Sequence, residues 1–179
     1  DFVTSAFGRG AAAALVARGY ARRPGDGALI RVDEPLDGLR RIAARARARL
    51  STEARVIAVT GSAGKTGTTA MLRAALATAG PTHAPERSFN NHWGVPLTLA
   101  RMPRDTAFGV FEVGMNHAGE ITPLVAMVRP HVAIVTTIAA SHLGHFKSLD
   151  EIADAKAEIF TGVVPGGHAV ISRDTPYFD

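Results

Sequence analysis

The sequence predicts an α/β fold, a mostly parallel sheet flanked by helices, on three observations. Val56-Ile57-Ala58-Val59 is a continuous apolar run, the signature of a strand buried on both faces. It runs straight into a glycine-rich turn that opens a helical stretch. Downstream, apolar strand signals at 108–113, 132–138 and 168–171 alternate with helical segments, the order expected of a parallel sheet with crossover helices.

Taken in order, residues 2–18 are alanine-rich and predict a helix ended by Gly19. A short strand is expected at 29–32. Residues 36–50 predict a second helix, because Leu36, Leu39, Ile42, Ala43, Ala46 and Leu50 fall on one stripe. Residues 51–54 read as a connector, and the domain boundary is placed there. The helix after the glycine-rich turn is expected over 65–79 and is stopped by Gly80-Pro81. Residues 120–127 predict a short helix with Pro123 in its first turn, where proline is tolerated. A last helix is expected at 149–160, and Gly166-Gly167 makes the turn into the strand at 168–171.

Composition narrows the class. The 179 residues are 46% apolar, enough for a sizeable core. No run of 18 apolar residues exists, so no spanning helix is expected. With no cysteine, disulfides and thiolate chemistry are excluded; a cytoplasmic setting is compatible with this. The net charge is +4, and Arg40, Arg41, Arg45, Arg47 and Arg49 crowd one helix. Without interleaved aromatics the cluster reads as a solvated helix face, and no nucleic-acid partner is expected.

The chemistry-bearing element is Gly61-Ser62-Ala63-Gly64-Lys65-Thr66-Gly67. Small residues let a backbone curl so that its N–H groups converge on phosphate oxygens, and the helix N-terminus adds a favourable dipole. Lys65 can reach between terminal phosphates and Thr66 can place its hydroxyl on Mg²⁺. The long form of this loop has a glycine five residues before Gly64, where Val59 stands; the chain carries the shorter Gly-x-x-Gly-Lys-Thr form. A P-loop NTPase-like sheet with ATP as ligand follows.

Three further residues invite functional readings, each with a plain alternative. Glu112 ends the strand at 108–113, where open α/β sheets place their sites; it is a Mg²⁺ ligand or a surface acid beside a turn. His142 follows the strand at 132–138 and is a metal ligand, a general base or a loop residue, with His145 competing. Lys156, one of three lysines, has Asp154 and Glu158 nearby; by spacing alone it reads as a surface lysine in helix ion pairs.

Four stretches together resemble the Mur ligases of peptidoglycan synthesis. They are Gly61 to Thr66; Asn90-Asn91-His92-Trp93-Gly94-Val95-Pro96-Leu97-Thr98; Glu112-Val113-Gly114-Met115-Asn116-His117-Ala118-Gly119-Glu120-Ile121; and Ala140-Ser141-His142-Leu143 leading to Ala155-Lys156-Ala157-Glu158-Ile159-Phe160. The first is shared across the family and its folate-linked relatives. The second and third resemble the member that joins D-alanyl-D-alanine to UDP-N-acetylmuramoyl-tripeptide. The likeness covers roughly 55–172.

The resemblance implies an ATP-dependent carboxylate–amine ligase acting through an acyl phosphate, cytoplasmic and monomeric when complete. It implies that Lys65 and Thr66 serve ATP and a first Mg²⁺, that Glu112 also meets metal, and that His142 holds a second Mg²⁺. Lys156 becomes a carbamylated lysine. Lys65, His142 and Lys156 are then the catalytic set, and Asn90, Asn91 and His117 lie near substrate. Residues 1–52 read as the remnant of an N-terminal UDP-substrate-binding domain and 53–179 as a partial central ATP-binding domain; the family's C-terminal domain is absent, and the fragment alone is expected to be inactive. Three positions depart from the family pattern: Thr69 where Lys is common, Thr137 where Asn is common, and Gly144-His145 in place of Glu-Gly. Other readings are a Mur-type or folylpolyglutamate-type ligase for another amino acid, a P-loop NTPase switch, and a nucleotide-binding module without turnover.

Overall fold

The computed structural model describes residues 2–140 and 146–178. The expectations at His142 and at Gly144-His145 lie outside the described residues. The chain forms two compact units, one up to Arg41 and one from Ile42 onward. The division falls inside a helix, earlier than the connector at 51–54.

In the first unit, α1 (Phe2–Gly8) is followed by two parallel strands, β1 (Ala13–Ala17) and β2 (Ala28–Val32), and by the start of α2 (Pro35–Ala48). The single helix expected over 2–18 is therefore corrected. Gly10 turns with φ 90, and the five residues from Ala13 pair in register with those from Ala28. Val16 is buried there. Pairing with a partner strand outweighs alanine's helix preference, which is a weak prior. Asp26 organises the unit: its carboxylate accepts from Thr4 Oγ1 at 2.9 Å, Tyr20 OH at 3.1 Å and the Arg23 backbone N–H at 2.9 Å. The backbone N–H of Arg23, first among these, holds its carboxyl below the usual range.

The second unit is a five-stranded, all-parallel sheet in the order β4-β5-β3-β6-β7. Its elements are β3 (Arg55–Thr60), α3 (Lys65–Ala77), β4 (Thr82–His83), α4 (Gly94–Ala100), β5 (Phe108–Glu112), α5 (Ile121–Val128), β6 (Val132–Val135), α6 (Leu149–Ala157), a 3-10 turn (Glu158–Gly162) and β7 (His168–Ile171). The short β4 and α4 had no strand or helix expectation. The last helix is shorter than expected because its final turn tightens into the 3-10 form.

β3 lies at the centre, and all of it except Arg55 is buried. Side chains alternate across the sheet. Ile57, Val59 and Val110 pack towards Leu72 and Leu76 of α3. Val56, Ala58, Phe111, Val113 and Ala133 join the larger core with α4, α5 and α6. Because β5 flanks β3 on one side and β6 on the other, the chain leaves the end of β3 where the strand order reverses. That is the place where open α/β sheets form their crevice.

Candidate functional site: a phosphate loop, a buried carboxylate and a buried lysine

Register fixes what surrounds the glycine-rich loop. Val59 pairs with Glu112 and Thr60 with Val135. Glu112 thus ends β5 on one side of the loop, and Thr136 follows β6 on the other. Gly61 (φ 146) and Gly64 (φ 83) both adopt positive φ. A Cβ at Gly61 would stand 2.0 Å from Thr136 Oγ1, so no other residue fits. Thr136 Oγ1 in turn reaches the carbonyls of Thr60 at 3.1 Å and Ala63 at 2.6 Å. Ser62 donates its N–H to the Thr137 carbonyl at 2.7 Å and its Oγ to the Ala139 carbonyl at 2.9 Å. The loop is held from below by polar bonds to the 136–139 segment. Thr137 takes part through its backbone, whatever its side chain.

Two side chains of the loop are engaged with the protein itself. Lys65 Nζ donates to the Gly61 carbonyl at 2.8 Å, bending back over the loop. Thr66 Oγ1 donates to Glu112 Oε2 at 2.9 Å and also meets Ser88 Oγ at 3.0 Å. Asn90 Nδ2 donates to Glu112 Oε1 at 2.7 Å. Both carboxylate oxygens are therefore oriented by neutral donors. Glu112 is only 2% exposed, and among the described residues no basic side chain pairs with it. A buried carboxylate without a cation is costly. Glu112 and Thr66 offer hard oxygen atoms at one point, which suits Mg²⁺, an ion that takes one or two protein oxygens and completes its shell with water and phosphate. No group of three or more His, Asp or Glu side chains forms a cluster among the described residues, so a cage supplied wholly by those residues is not the arrangement here. Of the two readings left open for Glu112, the surface acid is the one the structure removes.

Lys156 is corrected more sharply. It is 2% exposed, on the buried face of α6. It forms no ion pair among the described residues; Glu158 is engaged elsewhere. The Glu158 carboxylate accepts from the Gly119 N–H at 2.5 Å and from the N–H and Oγ1 of Thr122, both at 2.9 Å. This clip ties the end of α6 to the start of α5, and nothing in the local sequence marks it because its partners lie 36 and 39 residues away. Burial, and secondarily the charge of Lys65, lower the Lys156 amine to a pKa of about 8. The charge of Lys65 is thus felt at Lys156.

The other expected residues are dispersed in role. Asn91 Oδ1 accepts from the N–H groups of Trp93 at 3.1 Å and Gly94 at 2.9 Å, making the turn that starts α4. His117 Nδ1 meets Glu120 Oε1 at 3.1 Å. Gly67 adjoins open space. Thr69 is buried, and its Oγ1 has no hydrogen-bond partner among the described residues. Ser88 and Thr136 carry the geometry without having been singled out beforehand, and Glu158, expected only as an ion-pair neighbour of Lys156, instead binds Gly119 and Thr122.

Residues 59–179 match the family described as "Mur ligase middle domain". The chain belongs to the Mur ligase family. It is similar to the UDP-N-acetylmuramoyl-tripeptide--D-alanyl-D-alanine ligase of Bacillus subtilis (strain 168), with 41% identity over 176 residues, 98% of this chain and 38% of that protein. Among solved structures it resembles the UDP-N-acetylmuramoylalanyl-D-glutamyl-2,6-diaminopimelate--D-alanyl-D-alanyl ligase of Acinetobacter baumannii, with 32% identity and a TM-score of 0.78 over 88% of this chain and 34% of that one. It also resembles the MurF ligase of Thermotoga maritima in complex with ADP, with 26% identity and a TM-score of 0.82 over 98% of this chain and 40% of that one. This Mur ligase chain therefore spans little more than a third of the length of the relatives it matches. The fold is theirs: a parallel sheet flanked by helices. No helix among the described residues is long and apolar enough to cross a membrane.

Proposed function

We propose that this chain is the ATP-binding part of a cytoplasmic, monomeric ligase that joins D-alanyl-D-alanine to UDP-N-acetylmuramoyl-tripeptide in peptidoglycan precursor synthesis. The observation that carries the reading is the Thr66–Glu112–Asn90 cluster beside a loop of phosphate-binding form. Similarity over nearly the whole chain to a ligase of that specificity supports it.

In this reading the loop N–H groups and Lys65 take the ATP phosphates, with Lys65 exchanging the Gly61 carbonyl for phosphate oxygen. Thr66 and Glu112 hold the first Mg²⁺; His142 and Lys156 serve the second. Bound Mg²⁺ supplies neutralisation of the charge on the transferring phosphoryl group. The tripeptide carboxylate attacks the γ-phosphorus, giving an acyl phosphate and ADP. The dipeptide amine then attacks the acyl carbon, phosphate leaves, and the amine loses its proton as the amide forms. Asn90, Asn91 and His117 face the substrate side.

Lys156 acts as a carbamate. Its neutral amine adds to CO₂, forming an N–C bond and releasing a proton. Lowering the amine from 10.5 to about 8 raises the neutral fraction at pH 7 by about 300-fold. The adduct replaces a cation that repels Lys65 and metal with an anion that attracts both. The assay is ADP release by the full-length protein. ADP formed only when ATP, tripeptide nucleotide and dipeptide are all present supports the reading. ATP hydrolysis indifferent to the other two would point instead to a nucleotide switch.

A further inference from the structure

The loop between β5 and α5 is pinned by two carboxylates, one its own and one from the end of α6. Just past Glu112, Val113 donates its N–H to the Val59 carbonyl and Gly114 donates to the Asn90 carbonyl, each at 2.8 Å. Glu120 then accepts from the Asn116 N–H at 2.7 Å and meets His117 Nδ1 at 3.1 Å. Turned back in this way, Glu120 gives no side-chain cap to the helix it precedes. Glu158 supplies one from a distance. Its Oε1 takes the Gly119 N–H, and its Oε2 takes both the N–H and the Oγ1 of Thr122. Gly119 stands there with φ 85, a conformation glycine adopts without strain.

We propose that Glu158 is a positioning residue: by clipping the loop that follows Glu112 to the end of α6, it sets the place of Lys156 relative to Glu112. The proposal rests on the reading above, in which Lys156 is a carbamate. Ile152, Ala155 and Ile159 seat α6 and its final turn in the same core as Ile121 and Val125 of α5. Apolar contacts of this kind are non-directional and do not fix how far a helix has slid or turned. One fixed point lies at Gly162, where an added Cβ would stand 2.6 Å from the Val125 carbonyl oxygen. Glu158 is the nearer one, two residues from Lys156. Stability alone does not call for this clip. Gly119 and Thr122 are exposed and Glu158 is half-buried, so water could serve the same donors at little cost. What water cannot do is hold segments 36 and 39 residues apart at one spacing. A carbamate persists only while its oxygens meet their partners, so a displaced Lys156 gives up CO₂ more readily.

The test follows the carbamate itself, by carbon NMR of the full-length protein titrated with isotope-labelled bicarbonate in the presence of Mg²⁺. Lys156→Met, which cannot form the adduct, assigns its resonance. Glu158→Gln keeps the size of the side chain but loses one acceptor oxygen. It is expected to raise the bicarbonate needed for half-saturation by about tenfold, the worth of one charge-assisted hydrogen bond. ADP release should show kcat lowered by a similar factor and restored in part by excess bicarbonate, with KM for ATP unchanged, since the phosphate loop is not part of the clip. Thr122→Val removes a single donor and should shift half-saturation in the same direction by about two- to threefold; it carries the test if the glutamine variant does not fold. A half-saturation point unmoved in every variant that folds makes Glu158 a stability clip only, and leaves the carbamate standing. A parent protein with no resonance that depends on Lys156 overturns the carbamate and this proposal together.

Discussion

The two ends of the central sheet treat their polar groups in opposite ways. At the end where β3 begins, side chains close off backbone atoms for good. His131 Nδ1 accepts the Val56 N–H at 2.9 Å, Arg47 donates to the carbonyls of Val128 and Arg129 at 2.7 Å each, and Arg49 donates to the Met102 carbonyl at 2.5 Å. At the end where β3 stops, the bonds are ones a ligand can replace. Lys65 rests on a loop carbonyl, Thr66 on a carboxylate, and Lys156 is buried with no hydrogen bond or ion pair among the described residues. The difference teaches where this unit invests stability and where it gives stability up. A site must keep donors and charges that are under-used until substrate arrives.

Removing Lys65 should give the largest effect at the functional end. In the full-length protein Lys65→Ala is expected to lower ADP release by about 10³-fold, the cost of losing a main electrostatic stabiliser of a phosphoryl group. Its melting temperature should stay close to that of the parent, since Lys65 makes one bond to a loop carbonyl. Activity near that of the parent would remove Lys65 from the site. Lys156→Ala should be nearly as inactive, with partial recovery when a small carboxylate such as formate is added to occupy the vacated space. Full activity without rescue would remove the carbamate.

Stability reverses the sign of the comparison. A buried ammonium is a liability, so Lys156→Met in CO₂-free buffer at pH 7 should stabilise the fold by about 2 kcal/mol, less than the full shift implies because solvent screens part of the field. The folded amine, at about 8, loses its proton before the unfolded one at 10.5. Parent stability should therefore rise between about pH 8 and 10.5 and be flat below, and the variant should lack that rise. Denaturant titrations at pH 7 and pH 10 measure both. A variant less stable than the parent at pH 7 would show that Lys156 is satisfied as a cation.

The same contrast explains how much could be read from the amino acids. The loop, its lysine and threonine, and the strand that feeds it were legible because they are contiguous and their chemistry needs that spacing. Glu112 was half legible: the strand end was evident, but only the Val59–Glu112 register shows that the carboxylate meets Thr66. Lys156 was misread by spacing, since Asp154 and Glu158 mimic a surface helix. Its burial comes from packing of α6 in the larger core, which no local pattern records. The strand at Ala13–Ala17 was missed for the same reason: alanine favours helix until a neighbouring strand offers its edge. Arg47 and Arg49 read as a solvated face, yet they bind carbonyls 81 and 53 residues away.

The smallest expected effect lies at the closed end and tests whether it is closed. His131 can accept the Val56 N–H only with Nδ1 unprotonated. Burial first, and then the charges of Arg47 and Arg55, hold its pKa below the usual imidazole value. In the unfolded chain the ring titrates at about 6.5. The unfolded state therefore binds more protons over the interval beneath that value, and stability contributed by the neutral ring is lost as pH falls through it. His131→Phe leaves the N–H of a fully buried residue without an acceptor, at a cost of about 1–2 kcal/mol at pH 7.5. The variant should also lose less stability than the parent between pH 7 and pH 5, so the two denaturation midpoints should converge on acidification. Parallel midpoints across that range would mean that Val56 is served by another acceptor and that this end of the sheet is as exchangeable as the other.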